Sequence, residues 1–126
     1  MLVKICGITN LEDALAAVDA GARVWKAFRV DGKFRHQLMD AYDAEAFLLD
    51  APSETLYGGT GTTFDWARAR GLGRRIILAG GLDATNVRAA IEMARPWGVD
   101  ACSRIESAPG RKDHVKMREF LKAALE

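Results

Sequence analysis

Cysteine is scarce in this sequence: Cys6 and Cys102 are the two among 126 residues. A domain with an adequate core does not need a disulfide framework, so the pair fits a reducing, cytoplasmic setting better than a stapled secreted scaffold. No Cys/His cluster has metal-ligand spacing, which argues against a zinc site. Charge of one sign is lacking too, since 18 Lys and Arg face 17 Asp and Glu, a net +1. Neither nucleic acid nor an anionic membrane is expected as a partner. No apolar run nears the ~20 residues that span a bilayer. The opening Met1-Leu2-Val3-Lys4-Ile5-Cys6 has no h-region or cleavage site of a secretory signal. Low-complexity tracts, fixed-period repeats and an internal domain boundary are absent as well. What is present is apolar bulk, 49% of residues. That is enough for one core, and hence one domain over residues 1–126.

The most informative stretch runs from Arg75 to Arg95. Arg75-Ile76-Ile77-Leu78-Ala79 reads as a strand buried on both faces, and Gly80-Gly81-Leu82 as the turn after it. Val87, Ala90, Ile91 and Ala94 then mark one face of a helix that Asp83 or Thr85 caps and Pro96 stops. Paired glycines ahead of a helix let backbone amides approach a phosphate, though they also make ordinary tight βα turns.

The rest of the chain repeats this alternation. Leu2 to Cys6 reads as a first strand. Thr9 and Glu12 have capping-box spacing for a helix that buries Leu11, Ala14, Leu15 and Val18 and ends at Gly21. Val24 to Val30 is a second strand, and Phe34, Leu38 and Tyr42 stripe the following helix. Ala46 to Asp50 is a third strand. Residues 51 to 63 form a long polar loop, of the kind that serves as a functional lid or a flexible segment. Phe64 to Arg70 is a short helix closed by Gly71. Val99 to Ser103 is the fifth strand, Pro109-Gly110 breaks the chain, and Met117, Phe120, Leu121 and Ala124 line a last helix. Five strand-helix units without a hairpin signal imply an α/β fold with a parallel sheet and right-handed crossovers. Ligands gather at the carboxyl ends of such strands, here Cys6, Val30, Asp50, Gly80-Gly81 and Ser103. The Gly58 to Gly61 loop is not a P-loop, because no Gly-Lys-Ser/Thr follows it. His36 and His114 read as solvated helix residues, and Trp25, Trp66 and Trp97 as packing residues.

Three stretches resemble one family. They are Lys4-Ile5-Cys6-Gly7-Ile8-Thr9-Asn10; Asp50 with Tyr57-Gly58-Gly59-Thr60-Gly61 and Thr63-Phe64-Asp65-Trp66; and Leu78-Ala79-Gly80-Gly81-Leu82 with Asn86-Val87, Val99-Asp100 and Glu106 to Asp113. In this order they are similar to phosphoribosylanthranilate isomerase of tryptophan biosynthesis. The resemblance implies a (βα)8 TIM barrel and an Amadori rearrangement of N-(5-phosphoribosyl)anthranilate, with no metal or organic cofactor. Residues 1 to 22 resemble the first unit and Val24 onward the fifth to eighth, so three units are skipped at a junction near residues 21–24. The family's arginine for the anthranilate carboxylate belongs to the second unit, which this reading leaves out.

By resemblance Cys6 is the general base and Asp50 the general acid. A buried core thiol and a strand-end cap are the plainer readings of the two. Phosphate is expected against Gly80, Gly81 and the backbone after Ser103, and Asp100 is a candidate for sugar hydroxyls. The sequence departs from the family at Arg104, which replaces a glycine. It either obstructs the close approach of phosphate or contributes a bidentate contact. Three readings follow: an isomerase weakened by truncation, a folded non-catalytic fragment, or a flavodoxin-like phosphate-binding module. Removing contiguous units exposes strand edges. The outcome is either a partial barrel with strand order 2-3-4-5-1 or an open sheet ordered 2-1-3-4-5, with pairing of edges between two copies as a further possibility.

Overall fold

The computed structural model describes residues 8–52 and 63–126. The first strand (Leu2 to Cys6) and the Gly58 to Gly61 loop therefore lie outside the described residues. The ordered chain runs α1 (Leu11–Asp19), β1 (Trp25–Arg29), β2 (Ala46–Asp50), β3 (Ile76–Leu78), α2 (Val87–Ala94), β4 (Gly98–Val99), β5 (Glu106–Ala108), β6 (Arg111–Lys112) and α3 (His114–Leu125). β1 to β4 form one parallel sheet in sequence order, with Trp25 beside Ala46, Phe47 beside Ile76 and Ile77 beside Gly98. β1 and β2 pair directly, which excludes the order that places the first strand between them. The neighbours are those of a barrel wall.

β2 spans the residues its apolar run indicates, and alternate side chains take opposite faces. Phe47 and Leu49 point to the helical side, where they meet Leu78, Leu82, Val87, Ala90 and Phe120, all buried. Burying each of the larger side chains stabilises the fold by about 1.5–3 kcal/mol. α2 presents Val87, Ala90 and Ala94 to this core, as its spacing requires. Arg95 closes it in the left-handed region at φ 50°, just before Pro96. The cap is Asn86, not Asp83 or Thr85. Both of those residues are engaged in the turn itself, as described below.

Several expectations are corrected. α1 starts from Asn10, whose side chain accepts from Asp13 N–H at 2.8 Å, so Thr9 does not cap it. None of its residues is buried, and Leu11 and Leu15 are 73% and 59% exposed. Its apolar stripe is real, but no described element covers it. The stripe of Phe34, Leu38 and Tyr42 yields only a 3-10 helix, His36–Ala41. Asp31 Oδ1 accepts from the Lys33 and Phe34 N–H groups, which commits the first turn to a different geometry. Tyr42 is extended and sets its ring edge-on to Phe28 at 5.5 Å. Trp66–Ala69 is likewise a 3-10 turn, capped by Asp65.

The fifth strand shortens to Gly98–Val99, with one further bond from Asp100 N–H to the Leu78 carbonyl at 2.7 Å. The chain then turns through a 3-10 helix at Ser103–Ile105. Pro109-Gly110 does not merely break the chain: β5 and β6 form an antiparallel hairpin around it. His36 and His114 are exposed, as expected. Trp25 and Trp97 pack edge-on at 5.9 Å, also as expected. Among the described residues no helix is long and apolar enough to cross a membrane.

Candidate functional site

The carboxyl ends of β2, β3 and β4 converge on a cavity of about 210 Å³. Asp50, Gly80, Gly81, Asp100, Ser103 and Arg104 line it, joined by Leu48 and Cys102. Of the strand-end and phosphate candidates of the sequence, Cys6 lies outside the described residues and Val30 is buried in the core; the others fall on one concavity. The parallel register accounts for this: Leu48 and Asp50 share the face of β2 opposite Phe47 and Leu49, so packing the core on one side aims Asp50 at the other.

The turn after β3 is held by three side chains. Gly80 and Gly81 are both left-handed, at φ +84° and +66°. A Cβ on Gly80 would lie 2.6 Å from Asp50 Oδ1 and closer still to the Ala51 nitrogen, so the turn fits against β2 only without a side chain. Asn86 donates to the Gly81 carbonyl at 2.8 Å and accepts from Asp83 N–H at 3.0 Å, which ties the head of α2 back to the glycines. Asp83 accepts from Thr85 N–H at 2.9 Å and from its hydroxyl at 2.5 Å. Burial pushes the Asp83 carboxyl up, but the bonds from Thr85, the Arg104 guanidinium and Asn86 N–H outweigh it and hold the carboxyl below its ordinary value. Asn86→Ala is expected to destabilise the protein by about 1–3 kcal/mol, since it strips a carbonyl and an amide of their partner at once. Urea unfolding measures this.

Asp50 behaves differently. Burial, followed by the nearby Asp100 carboxylate, raises its pKa above the ordinary value; Ala51 N–H and the Arg29 guanidinium work the other way without cancelling that rise. Arg29 is its register partner on β1. The shift is in the direction that favours the protonated form.

Arg104 lines the cavity, with Nε 3.5 Å from Asp83 Oδ2. Its charge is thus shared with the wall formed by the turn after β3. Sequence reasoning missed a second cluster, which adjoins Cys102. Lys112 Nζ lies 2.7 Å from Glu106 Oε1, 3.0 Å from the Cys102 carbonyl and 3.7 Å from Cys102 Sγ. The bond to Glu106 raises the Lys112 pKa, and the same bond lowers that of Glu106. The signal was the hairpin, whose two arms bring Glu106 opposite Lys112. A larger, shallow depression of about 590 Å³ lies between the hairpin and the start of α3, around Ser107, Arg111 and His114. Asp50 does not line it, and Asp113 there already caps α3 by accepting from Val115 and Lys116 N–H. The converging strand ends, unlike this depression, gather Asp50, Gly80, Gly81, Asp100, Ser103 and Arg104 on one concavity. Among the described residues no cluster of His, Cys, Asp and Glu is arranged to hold a metal ion.

Comparison with known proteins bears on the family and the fold. The family model for N-(5'-phosphoribosyl)anthranilate (PRA) isomerase matches residues 10–123. The N-(5'-phosphoribosyl)anthranilate isomerase of Solibacter usitatus is 60% identical over 101 residues, covering 80% of this chain and 51% of that protein. That of Pelobacter propionicus is 37% identical over 199 aligned positions, covering 98% of this chain and 95% of the relative. The crystal structure of phosphoribosyl anthranilate isomerase from Thermotoga maritima superimposes with a TM-score of 0.73 at 34% identity, over 91% of this chain and 57% of that one. The chain thus spans about half the length of the Solibacter and Thermotoga proteins. On the match of sequence and of fold together, the chain belongs to the N-(5'-phosphoribosyl)anthranilate isomerase family.

Proposed function

We propose that this chain is an isomerase-derived domain that keeps the acid and the phosphate-holding wall of the site, with turnover weakened or lost through truncation. The observation that carries the reading is the convergence of Asp50, its pKa raised, with Gly80, Gly81, Asp100 and Ser103 on one small cavity. In the Amadori rearrangement Asp50 protonates the ring oxygen as the furanose opens to an iminium. Cys6, as thiolate, takes the proton from the adjacent carbon, and the resulting enolamine tautomerises to the ketone. Gly80, Gly81 and the amides after Ser103 hold the phosphate, and Asp100 orients the sugar hydroxyls. Arg104, in place of a glycine, fills part of the space in which phosphate would approach the backbone. A cytoplasmic, cofactor-independent reaction fits this chemistry.

The junction falls near residues 21–24, within a single domain over residues 1–126. The length of the Pelobacter alignment leaves room for skipped units: 199 positions accommodate at most the 126 residues of this chain, so at least 73 positions of the relative face none here. That is room for two or more βα units. The family's arginine for the anthranilate carboxylate would go with them. A fluorescence assay of phosphoribosylanthranilate consumption tests the reading. The expected rate stays close to those of Cys6→Ala and Asp50→Ala. Fast turnover abolished by both substitutions would show that truncation does not weaken the enzyme. No binding of substrate or phosphate would leave the non-catalytic fragment.

A further inference from the structure

We infer that two copies of this chain join through β1, antiparallel about a two-fold axis at Ala27, so that their sheets continue into one another. This goes beyond the isomerase reading and does not depend on it. Glu45 N–H donates to the Val24 carbonyl and Val30 N–H to the Asp50 carbonyl, so even-numbered residues of this segment bond to β2. Along a parallel ladder the bonding side alternates. The N–H and C=O groups of Trp25, Ala27 and Arg29 therefore point away from β2, and among the described residues no strand pairs with that side of β1. Exposed, outward-facing strand groups of this kind are a template for another strand. The opposite edge of the described sheet is β4, two residues long and half glycine, too short to serve.

The sequence Trp25-Lys26-Ala27-Phe28-Arg29 is complementary to itself when reversed. Centred on Ala27, it sets Trp25 opposite Arg29 of the second copy, Lys26 opposite Phe28, and Ala27 opposite its own equivalent. The outward-facing residues then fall on the hydrogen-bonded pairs, giving about six bonds across the axis. Both cations meet an aromatic ring of the other chain, and Lys26 already lies over its own Phe28 ring at 5.5 Å. Moving the axis to residue 26 would set Lys26 against Lys26. Moving it to residue 28 would put Trp25 opposite residue 31, beyond the end of the strand. Only the centre at Ala27 uses all of β1 without like charges in contact, which is why a second copy fits this edge. The contact is isologous and closes on itself.

Sedimentation of the full chain at micromolar concentration tests this, with a mass of twice 13.8 kDa expected. Ala27→Lys places two like charges on the axis and leaves the bonds to β2 untouched. It should give the monomer mass with unchanged far-ultraviolet circular dichroism. Ala27→Cys in a Cys6→Ser, Cys102→Ser background provides the second readout, which decides the matter should the lysine variant unfold. Paired residues on the axis have Cα atoms about 5.5 Å apart, within the ~4.4–6.8 Å that a disulfide spans. Mild oxidation should therefore cross-link it to a covalent dimer, while Leu125→Cys at an exposed remote position should not. A monomer at all concentrations, an open-ended distribution of masses, an Ala27→Lys dimer, or no cross-link at position 27 overturns the inference.

Discussion

Gly80→Ala is expected to destabilise the protein by about 3–5 kcal/mol, a range that few single substitutions reach. Two separate costs combine. At φ +84° an L side chain is strained, which alone amounts to about 1–2 kcal/mol. The added Cβ also meets the Ala51 backbone and Asp50 Oδ1 at 2.6 Å, and backbone cannot yield as a flexible side chain does. Gly110→Ala isolates the first cost. At φ +76° it has nothing within 4 Å of the new Cβ, so about 1 kcal/mol is expected there. The difference between the two urea midpoints then measures how tightly the turn after β3 is pressed against β2. Equal losses would show that the apposition is loose and that Gly80 serves only its own turn.

Asp50→Asn is expected to stabilise the protein at neutral pH while removing any residual turnover. Burial and Asp100 raise the Asp50 pKa in the folded state. Such a group favours folding most below its unfolded pKa of about 3.9, and that contribution is lost as pH rises through the folded value. At neutral pH the folded protein holds a disfavoured carboxylate, and asparagine relieves it. The gain should appear as pH rises above the ordinary aspartate range and vanish in acid, where the wild-type carboxyl is already neutral. Unfolding midpoints of both proteins against pH provide the check. A gain independent of pH would mean that asparagine simply packs better. A loss at neutral pH would mean that Arg29 and Ala51 N–H stabilise the carboxylate more than burial disfavours it.

The site was legible because its determinants are local. Ala46 to Asp50 is short, apolar and ends in a carboxyl, and paired glycines follow Ile76–Leu78. In a parallel sheet, strand ends on one side must meet. What the sequence concealed depended on competing local bonds or distant partners. Phe34, Leu38 and Tyr42 are spaced for an α-helix, but the Asp31 turn and the ring contact of Tyr42 with Phe28 leave only a 3-10 segment. Leu11, Leu15 and Val18 form a helical stripe whose burial depends on neighbours that periodicity cannot reveal. The hairpin at Pro109-Gly110 lacks the alternation that marks longer strands, and it is held instead by the pairing of Lys112 with Glu106. Cys102 lines the cavity only because β4 is short and the chain turns early.

The most direct test of the shared site is an amide NMR titration of the folded chain with inorganic phosphate. The amides of Gly80, Gly81, Ser103 and Arg104 should shift together along one saturable curve. Shifts confined to the depression around Ser107, Arg111 and His114, or none that saturates, would contradict a phosphate site at the converging strand ends.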